Sequence, residues 1–540
     1  MDRNRKSFAK GATILAAAGI ICKILGAAFR IPLEHVLGDV GMAYYSAAYP
    51  IYSALLVISS SGIPAAISRL VAERAALGDY RNAHYIFQIA YKLLLLIGFV
   101  AMVLMLLGAR LLASAQGMPE AYPTLMVIAP SIFFVAALSA YRGYFQGLQD
   151  MTPTAVSQVV EQVVKLGASW GLAAMMVKNG LVAGAVGAII GVSISEVVAL
   201  LLVMVMYNRR KGEIKYLIRT SPRVRNFEHR NMVVNRLLRV AIPITIGASI
   251  MPIVNLIDNG MVVRTLTSIG FSEVSAKSSF GILSAMVVPI INMPTIISSS
   301  LQVSLVPAIS NAMALKNMKR VQQNAATGLK LVILIGLPCA VGLFLLGEPI
   351  LGILYSSLKG DAEKLALAGK LIRTLSIGLF FLMVSHTATG ILQGIGRQTV
   401  PVRNLAIGGV LKVIVSYLLL RLPEINIQGA TIGTTLCYTT AAVLNLISIL
   451  RHVRFRFSFG DFILRPLIAN GLMGAVCYFS YRFIAPAAGN IAGLGISIVL
   501  AVLVYVVTIF LVGAIRPEDT KMLPGGNKLD YLMRRLGIWR

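Results

Sequence analysis

Two basic residues, Lys23 and Arg30, interrupt the first apolar segment of the chain, in the stretch CKILGAAFRIPLEH. They are seven residues apart, which places them nearly on one face of a helix. A charge inside a membrane span is costly, so it is expected to face a polar cavity or a partner. Glu34 follows Arg30 by four residues, the spacing of an ion pair on a helix. The alternative is that the two long side chains extend to the membrane surface.

A second charged pair, Glu161 and Lys165, lies in SQVVEQVVKLG, again with a spacing of four residues. This spacing leaves two interpretations of Lys165 open, a structural ion pair with Glu161 or contact with a ligand. Lys412 lies 247 residues after Lys165 in a similar apolar segment and has no carboxylate close to it in sequence. We therefore expect Lys412 to face a cavity.

The sign of these charges indicates the kind of ligand. The cations Lys23, Arg30, Lys165 and Lys412 outnumber the carboxylates that lie near them in sequence. A cationic cavity in the membrane suits an anionic cargo, such as a phosphate or pyrophosphate head group, and suits a cationic drug poorly. Glu34 and Glu161 are included among the candidate cavity residues because of their spacing to Arg30 and Lys165.

Catalytic and metal-binding patterns are not recognisable in the sequence. The four cysteines all lie in apolar stretches without metal-like spacing, and the five histidines are scattered. Glu34 and Asp39, in PLEHVLGDVG, are acidic candidates for a membrane glycosyltransferase, but no large extramembrane domain accompanies them. We predict that the protein is not an enzyme and needs no metal or cofactor.

The elements that carry these residues are membrane spans. Of the 540 residues, 57% are hydrophobic and only 13% are charged, and the mean hydropathy is +0.80. A transmembrane helix needs about 20 mainly apolar residues. The hydropathy pattern predicts fourteen such segments, and hence an all-α, polytopic membrane protein with 14 transmembrane helices.

The net charge of +28 is explained by the membrane rather than by nucleic acid. Basic residues collect in the cytoplasmic loops of membrane proteins and contact anionic lipids. With the amino terminus inside, most Lys and Arg residues fall in predicted inner loops, which predicts that both termini are cytoplasmic. The longest of these loops, 207–237, contains too few aromatic residues to stack nucleic-acid bases.

An internal repeat organises the spans. YFQGLQDMTP at 144–153 is echoed by ILQGIGRQTVP at 391–401, and SSSGIPAAIS at 59–68 by SSSLQVSLVPAIS at 298–310. Both pairings correspond to a shift of six spans, and an even shift keeps the orientation of a parallel repeat. We therefore predict the following division: an N-lobe at 1–206, a basic cytoplasmic linker at 207–237, a C-lobe at 238–450, and two further helices with a basic tail at 451–540.

Proline residues interrupt two spans of the predicted C-lobe. Pro243 and Pro252 lie in the seventh span, and Pro289, Pro294 and Pro307 in the eighth. Proline kinks are tolerated in membranes where neighbouring groups satisfy the freed carbonyls. The kinks either line a midplane binding site or only shape the helix packing.

The sequence resembles the multidrug/oligosaccharidyl-lipid/polysaccharide exporter superfamily, in particular its polysaccharide transporter branch with the stage V sporulation protein B-like proteins and the lipid II flippases. The resemblance is carried by CKILGAAFRIPLEHVLG with GMAYYSAAYPIY, by SGIPAAISRLVAE, and by the QGLQDMTP/QGIGRQTVP pair. It extends over essentially the whole chain. It implies two six-helix lobes, two additional helices and the flipping of an undecaprenyl-pyrophosphate-linked cell-wall precursor by alternating access.

The resemblance also implies roles for particular residues. Lys23 occupies the position of one of two arginines that contact the pyrophosphate in lipid II flippases, and Arg30 lies about one residue from the second. Some members bind sodium, for which Asp258 and Asn255 are the candidates here, but Lys412 stands where another sodium ligand would be expected. The driving force is therefore a membrane potential or an ion gradient, with the ion unknown.

The implied partners are a lipid-linked oligosaccharide, membrane lipids and cell-wall synthases, in the plasma membrane of a bacterium. The alternatives are a flippase for another lipid-linked polysaccharide and a multidrug antiporter. The antiporter requires cavity carboxylates, for which Asp258, Glu161 and Glu196 are the candidates.

Overall fold

The chain folds into helices, as the sequence predicts. The computed structural model describes residues 17–22, 24–26, 28–60, 62–221, 229–453 and 460–514. In these ranges, helices dominate and no β-strand occurs. The protein is thus an all-α, multi-pass membrane protein.

The helices are numbered here from the first one with complete bounds, after the helical residues 17–22, 24–26 and 28. The first eight are α1 (Arg30–Ser60), α2 (Gly62–Ala76), α3 (Tyr80–Ala115), α4 (Tyr122–Gly147), α5 (Thr152–Met176), α6 (Leu181–Thr220), α7 (Arg230–Ser268) and α8 (Glu273–Gly281). A π-helix, Ile282–Val287, follows. The others are α9 (Val288–Asn292), α10 (Thr295–Ala314), α11 (Met318–Leu354), α12 (Ala362–Gly394), α13 (Thr399–Leu420), α14 (Gln428–Val453), α15 (Arg465–Ala488) and α16 (Asn490–Leu511).

Thirteen helical segments of the described chain are long and apolar enough to cross a membrane. They relate simply to the fourteen predicted spans. The first two spans form one segment, Ala17–Ala76, although Gly38 interrupts it with a φ of 65°. The eighth span is broken into two segments, Glu273–Asn292 and Thr295–Ala314. The fifth, α5, has 25 residues and carries Glu161 and Lys165, and it is not among the thirteen.

Local chemistry fixes where several helices begin. The side chains of Asp79, Asn317 and Asp361 accept hydrogen bonds from backbone amides three residues further on, at the starts of α3, α11 and α12. Such caps satisfy amides that have no partner within the helix. Along the helices, large apolar side chains remain exposed, including Leu107 in α3 and Leu511 in α16. Exposed apolar surface of this kind is expected to contact lipid.

The contacts of the chain group it into two compact units, Met1–Ala285 and Met286–Arg540. The first unit contains α1 to α8, and the second contains α9 to α16. The predicted lobes are defined by the internal repeat, with the C-lobe beginning at residue 238, whereas the two units are defined by contacts. That division stays a prediction.

The internal repeat is visible inside each unit as matched close approaches of helices. A Cβ atom on Gly143 would lie 2.8 Å from the Pro64 carbonyl oxygen, and one on Gly390 would lie 2.8 Å from the Gln302 carbonyl oxygen. Gly143 and Gly390 differ by 247 residues, the predicted offset. Helices α2 and α4 in the first unit thus pack as α10 and α12 do in the second.

A second pair of close approaches also recurs in the two units. A Cβ atom on Gly191 would lie 2.2 Å from the Ser169 amide nitrogen, and one on Gly433 would lie 2.2 Å from the Ser416 hydroxyl oxygen. Ser169 and Ser416 are again 247 residues apart. Only glycine lets the backbones of α5 and α6, or of α13 and α14, approach so closely.

Candidate functional site

Four aromatic side chains form a cluster inside the first unit, here called the aromatic cluster: Phe29, Tyr45, Tyr49 and Tyr52. Successive ring centroids are 6.1, 5.1 and 6.3 Å apart. The three tyrosines belong to the GMAYYSAAYPIY stretch, where spacings of four and three residues place them on one face of α1. Tyr45 donates a hydrogen bond to the Tyr49 hydroxyl at 2.8 Å.

Lys165 of α5 is positioned by this cluster. Its ammonium nitrogen lies 5.3 Å from the centroid of Phe29 and 5.2 Å from that of Tyr49, a cation–π arrangement on two rings. Among the described residues, no carboxylate forms an ion pair with Lys165. The interpretation of Lys165 as the ion-pair partner of Glu161 is therefore wrong.

Glu161 is paired with Arg142 of α4 instead. The Arg142 guanidinium donates to the Glu161 carboxylate at 2.9 Å, and its Nε donates to the Ser157 hydroxyl at 3.0 Å. Both side chains of the ion pair are 15% exposed. Arg142 is not among the site residues that the sequence predicts. Its position within the apolar segment 122–146 was the signal that could have identified it.

Arg30 borders the same cluster and contacts the backbone of a distant helix. Its Nη1 donates to the Ser284 carbonyl oxygen at 2.9 Å, and no carboxylate pairs with it in the described part of the chain. The expected Arg30–Glu34 ion pair is therefore wrong. The guanidinium reaches the carbonyl of Ser284, 254 residues away, rather than the next turn of its own helix. Glu34 itself is completely buried.

A further carboxylate, Glu196 of α6, lies against this region. The Tyr52 hydroxyl donates to it at 3.4 Å, and only 8% of its surface is exposed. Arg142, Lys165 and Glu161 are the charged groups that act on it electrostatically. Together they form a group of ionisable side chains inside the first unit.

The other predicted site residues lie on other helices or outside the described residues. Lys412 is 3% exposed in α13 of the second unit, next to α14. On α7, Asp258 is buried and Asn255 is exposed. Lys23 lies outside the described residues.

The arrangement is suited to binding an anion rather than to bond-making chemistry. Arg30 contacts a carbonyl oxygen and Lys165 contacts two aromatic rings. The charges of these two cations are therefore not neutralised by an adjacent carboxylate. A guanidinium has five N–H donors, and Arg30 uses one of them on Ser284. No group of three or more His, Cys, Asp or Glu side chains that could hold a metal occurs among the described residues.

Family models define the class of the protein. A model described as "MatE" matches residues 243–418, and one described as "Polysaccharide biosynthesis protein" matches residues 8–313. With the fold, these matches define a transporter of the multidrug/oligosaccharidyl-lipid/polysaccharide exporter superfamily, which is not an enzyme family. Because the second match covers more than half of the chain, the protein belongs to the polysaccharide biosynthesis protein family.

Three relatives from Bacillus subtilis (strain 168) are similar over most of their length. The uncharacterized membrane protein YabM is 27% identical, with 97% of this chain and 96% of the relative covered. Stage V sporulation protein B is 25% identical, with 96% and 98% covered. Lipid II flippase MurJ is 26% identical, with 83% of each covered. The resemblance stated from the sequence is thereby confirmed.

Solved structures share the fold. The inward closed conformation of lipid II flippase MurJ aligns with a TM-score of 0.66 at 16% identity, over 92% of this chain and 98% of that one. An inward-facing multidrug resistance MATE family transporter aligns with a TM-score of 0.63 at 18% identity, over 80% and 94%.

Proposed function

We propose that this protein is a flippase for a lipid-linked cell-wall precursor, and that its cargo is the undecaprenyl-pyrophosphate-linked peptidoglycan intermediate, lipid II. The cargo moves from the inner to the outer leaflet by alternating access through a cationic cavity. The protein lies in a bacterial plasma membrane with both termini in the cytoplasm. Its cargo and the surrounding lipids are its partners, and cell-wall synthases consume the product.

The observation that carries the proposal is the state of Arg30 and Lys165. Both cations lie in the membrane-embedded first unit beside the aromatic cluster, and neither is paired with a carboxylate in the described structure. A desolvated cation without a counter-ion is costly, so it is retained where a ligand supplies the negative charge. A pyrophosphate supplies that charge, and the aromatic faces suit the sugar or prenyl groups beside it.

The relatives support the same class of cargo. One of them is named a lipid II flippase and is similar to this chain over 83% of each protein. The identity of 26% supports a lipid-linked cargo, and the assignment of lipid II is our proposal.

The driving force in this proposal is the membrane potential or an ion gradient, without a cofactor. Moving one charge through a potential of 100 mV releases about 2.3 kcal/mol. Asp258 and Asn255 of α7 are the proposed ion-coupling residues. Lys412 remains a proposed cavity residue, and its ammonium takes the place of a bound cation in that part of the protein.

Leaflet labelling of lipid II tests the function. In cells depleted of the protein, lipid II should stay inaccessible at the outer leaflet, and the wild-type gene should restore labelling. Alanine at Lys23, Arg30 or Lys412 should abolish that restoration at unchanged membrane levels of the protein. Normal labelling with all three variants would refute the cationic-cavity proposal.

Lys165 provides a further variant with a matched control. Lys165→Ala should reduce labelling at least tenfold because the ring-bound cation is lost. Lys165→Arg should retain part of it because a guanidinium also binds aromatic faces. Lys178→Ala removes an exposed cation close by in the chain and should leave labelling unchanged.

A multidrug antiporter is the second candidate, favoured by one observation. The partly buried Glu161 and the buried Glu196 lie in the first unit, and a model for "MatE" matches part of the chain. Drug sensitivity of a deletion strain distinguishes the two. A changed sensitivity to cationic drugs together with normal lipid II labelling would favour the antiporter. Loss of a surface glycan alone, with normal lipid II labelling, would favour a flippase for another lipid-linked polysaccharide.

A further inference from the structure

The π-helix in the eighth span places a proline at the position from which one carbonyl group would receive its π-helical hydrogen bond. In a π-helix, each carbonyl accepts from the amide five residues further on. For Ser284, within the π-helix Ile282–Val287, that residue is Pro289, which has no N–H. The Ser284 hydroxyl does not fill the gap, because it donates to the Phe280 carbonyl at 2.7 Å.

Arg30 supplies the missing donor. Its guanidinium lies 2.9 Å from the Ser284 carbonyl oxygen. Arg30 is also the cation that the proposed function assigns to the pyrophosphate. A phosphate oxygen carries charge and accepts a stronger hydrogen bond from a guanidinium than a carbonyl does. The carbonyl of Ser284 and an anionic cargo therefore compete for the Nη1 donors of Arg30.

The competition matters because α8 lies directly on α1. A Cβ atom on Gly281 would be 2.0 Å from the Asp39 carbonyl oxygen, and the Ser278 hydroxyl donates to the Asp39 carboxylate. Lys277 of α8 also pairs with Glu120, at 3.0 and 3.1 Å. The Arg30–Ser284 hydrogen bond is thus one of several contacts that hold the first half of the eighth span in the first unit, and together with the contacts of Asp39 it holds that half against α1.

We propose that Pro289 is a positioning residue that keeps the Ser284 carbonyl available for Arg30, and that an anion displaces this carbonyl when it binds. Arg30 holds α8 to α1 when the site is empty. When the pyrophosphate binds, Arg30 donates to it instead of to the Ser284 carbonyl, and the contact between α8 and α1 is weakened. The identity of the anion rests on the proposed function, whereas the hold on α8 does not.

Binding of farnesyl pyrophosphate to the purified full-length protein tests the competition. Pro289→Ala provides an amide for the Ser284 carbonyl and removes the competitor, so binding should tighten about fivefold to tenfold, the size expected for one ordinary hydrogen bond. Transport turnover should fall at the same time, because binding no longer releases α8. Pro307→Ala, in the second half of the same span, is the matched control and should bind within about twofold of the parent protein.

A double-mutant cycle assigns the effect to Arg30. In the Arg30→Gln background, Pro289→Ala should leave the affinity unchanged, because the competing side chain is gone. Equal affinities of the parent and Pro289→Ala would overturn the inference. A gain that persists in Arg30→Gln would overturn it as well.

Disulfide cross-linking tests the hold on α8 without relying on the cargo. Asp39→Cys and Ser278→Cys are introduced together after the four native cysteines are replaced by alanine. In the parent protein, farnesyl pyrophosphate should lower the cross-linking rate at least threefold. In Arg30→Gln and in Pro289→Ala, the rate should be lower by the same factor even without farnesyl pyrophosphate. The control pair Ser131→Cys and Ser193→Cys, whose native hydroxyls are 2.8 Å apart, should not respond.

The two arms separate failure of the inference from failure of the function. Equal cross-linking rates in the parent, Arg30→Gln and Pro289→Ala would overturn the inference and leave the flippase proposal standing. Absence of pyrophosphate binding to the parent protein would overturn the proposed function and the displacement of the Ser284 carbonyl by an anion. Slower cross-linking in both variants would still support the role of Arg30 in holding α8 to α1. If Pro289→Ala does not fold, Arg30→Lys replaces it, since a lysine loses the guanidinium fork and should also slow cross-linking.

Discussion

Several charged side chains in this protein contact groups that are far away in the sequence. Spacings of four residues predict ion pairs for Arg30 with Glu34 and for Lys165 with Glu161. The structure instead gives Glu161 to Arg142 and leaves the two other cations on a carbonyl oxygen and on aromatic rings. Helical spacing places two side chains on one face but does not exclude a better partner on a neighbouring helix. In a membrane, where each charge must find some partner, that competition decides the pairing.

The Arg142–Glu161 pair leads to a stability prediction. Arg142→Met leaves Glu161 buried without its partner and should destabilise the protein by about 3 kcal/mol, whereas Arg142→Met with Glu161→Gln should recover most of the loss. The exposed pair Arg236–Glu73, joined at 2.7 Å, is the control and should contribute about 0.5 kcal/mol. Melting temperatures of the detergent-purified protein measure the difference. Equal losses for both pairs would contradict the role assigned to burial.

Helices in each unit are held together at glycines that tolerate no side chain. The offset of 247 residues that relates the sequence motifs also relates Gly143 to Gly390 and Ser169 to Ser416 in these contacts. The motif QG in both echoes is therefore explained by packing. Gly147 and Gly394 would each place a Cβ atom within 2.8 Å of a side chain on the opposing helix. This structural reason accounts for the repetition without requiring these residues to touch a cargo.

Substitution of glycines tests this packing. Gly191→Ala and Gly433→Ala should each lower the melting temperature by several degrees because the added methyl group would overlap the facing helix. Gly167→Ala, in α5, meets nothing within 4 Å and should be neutral or slightly stabilising because alanine favours the helix. An equal effect at all three positions would show that helix propensity, and not close packing, governs them.

On the scale of the whole molecule, the sequence predicts a topology with both termini in the cytoplasm. The spans, the breaks and the charge distribution agree with a multi-pass protein of this superfamily. The side of each loop follows from the number of spans that precede it, so one miscounted span would exchange all later loops.

Thiol labelling in whole cells tests this topology in a cysteine-free background. Lys178→Cys and Lys359→Cys should react with an impermeant maleimide from outside. Leu77→Cys and Lys316→Cys, both at exposed positions, should react only after permeabilisation. Labelling of Leu77→Cys and Lys178→Cys from the same side would show that the span count between them is wrong.

The sequence by itself determined the all-helical membrane fold, the repeat and the superfamily, because length, hydropathy and recurring motifs are properties of contiguous segments. The tertiary structure decided which groups meet. Arg142 and Glu161 are 19 residues apart, Lys165 and Tyr49 lie on different helices, and Arg30 and Ser284 are separated by 254 residues. Such contacts depend on how helices pack, and the packing is fixed by many small side-chain fits that no single segment contains.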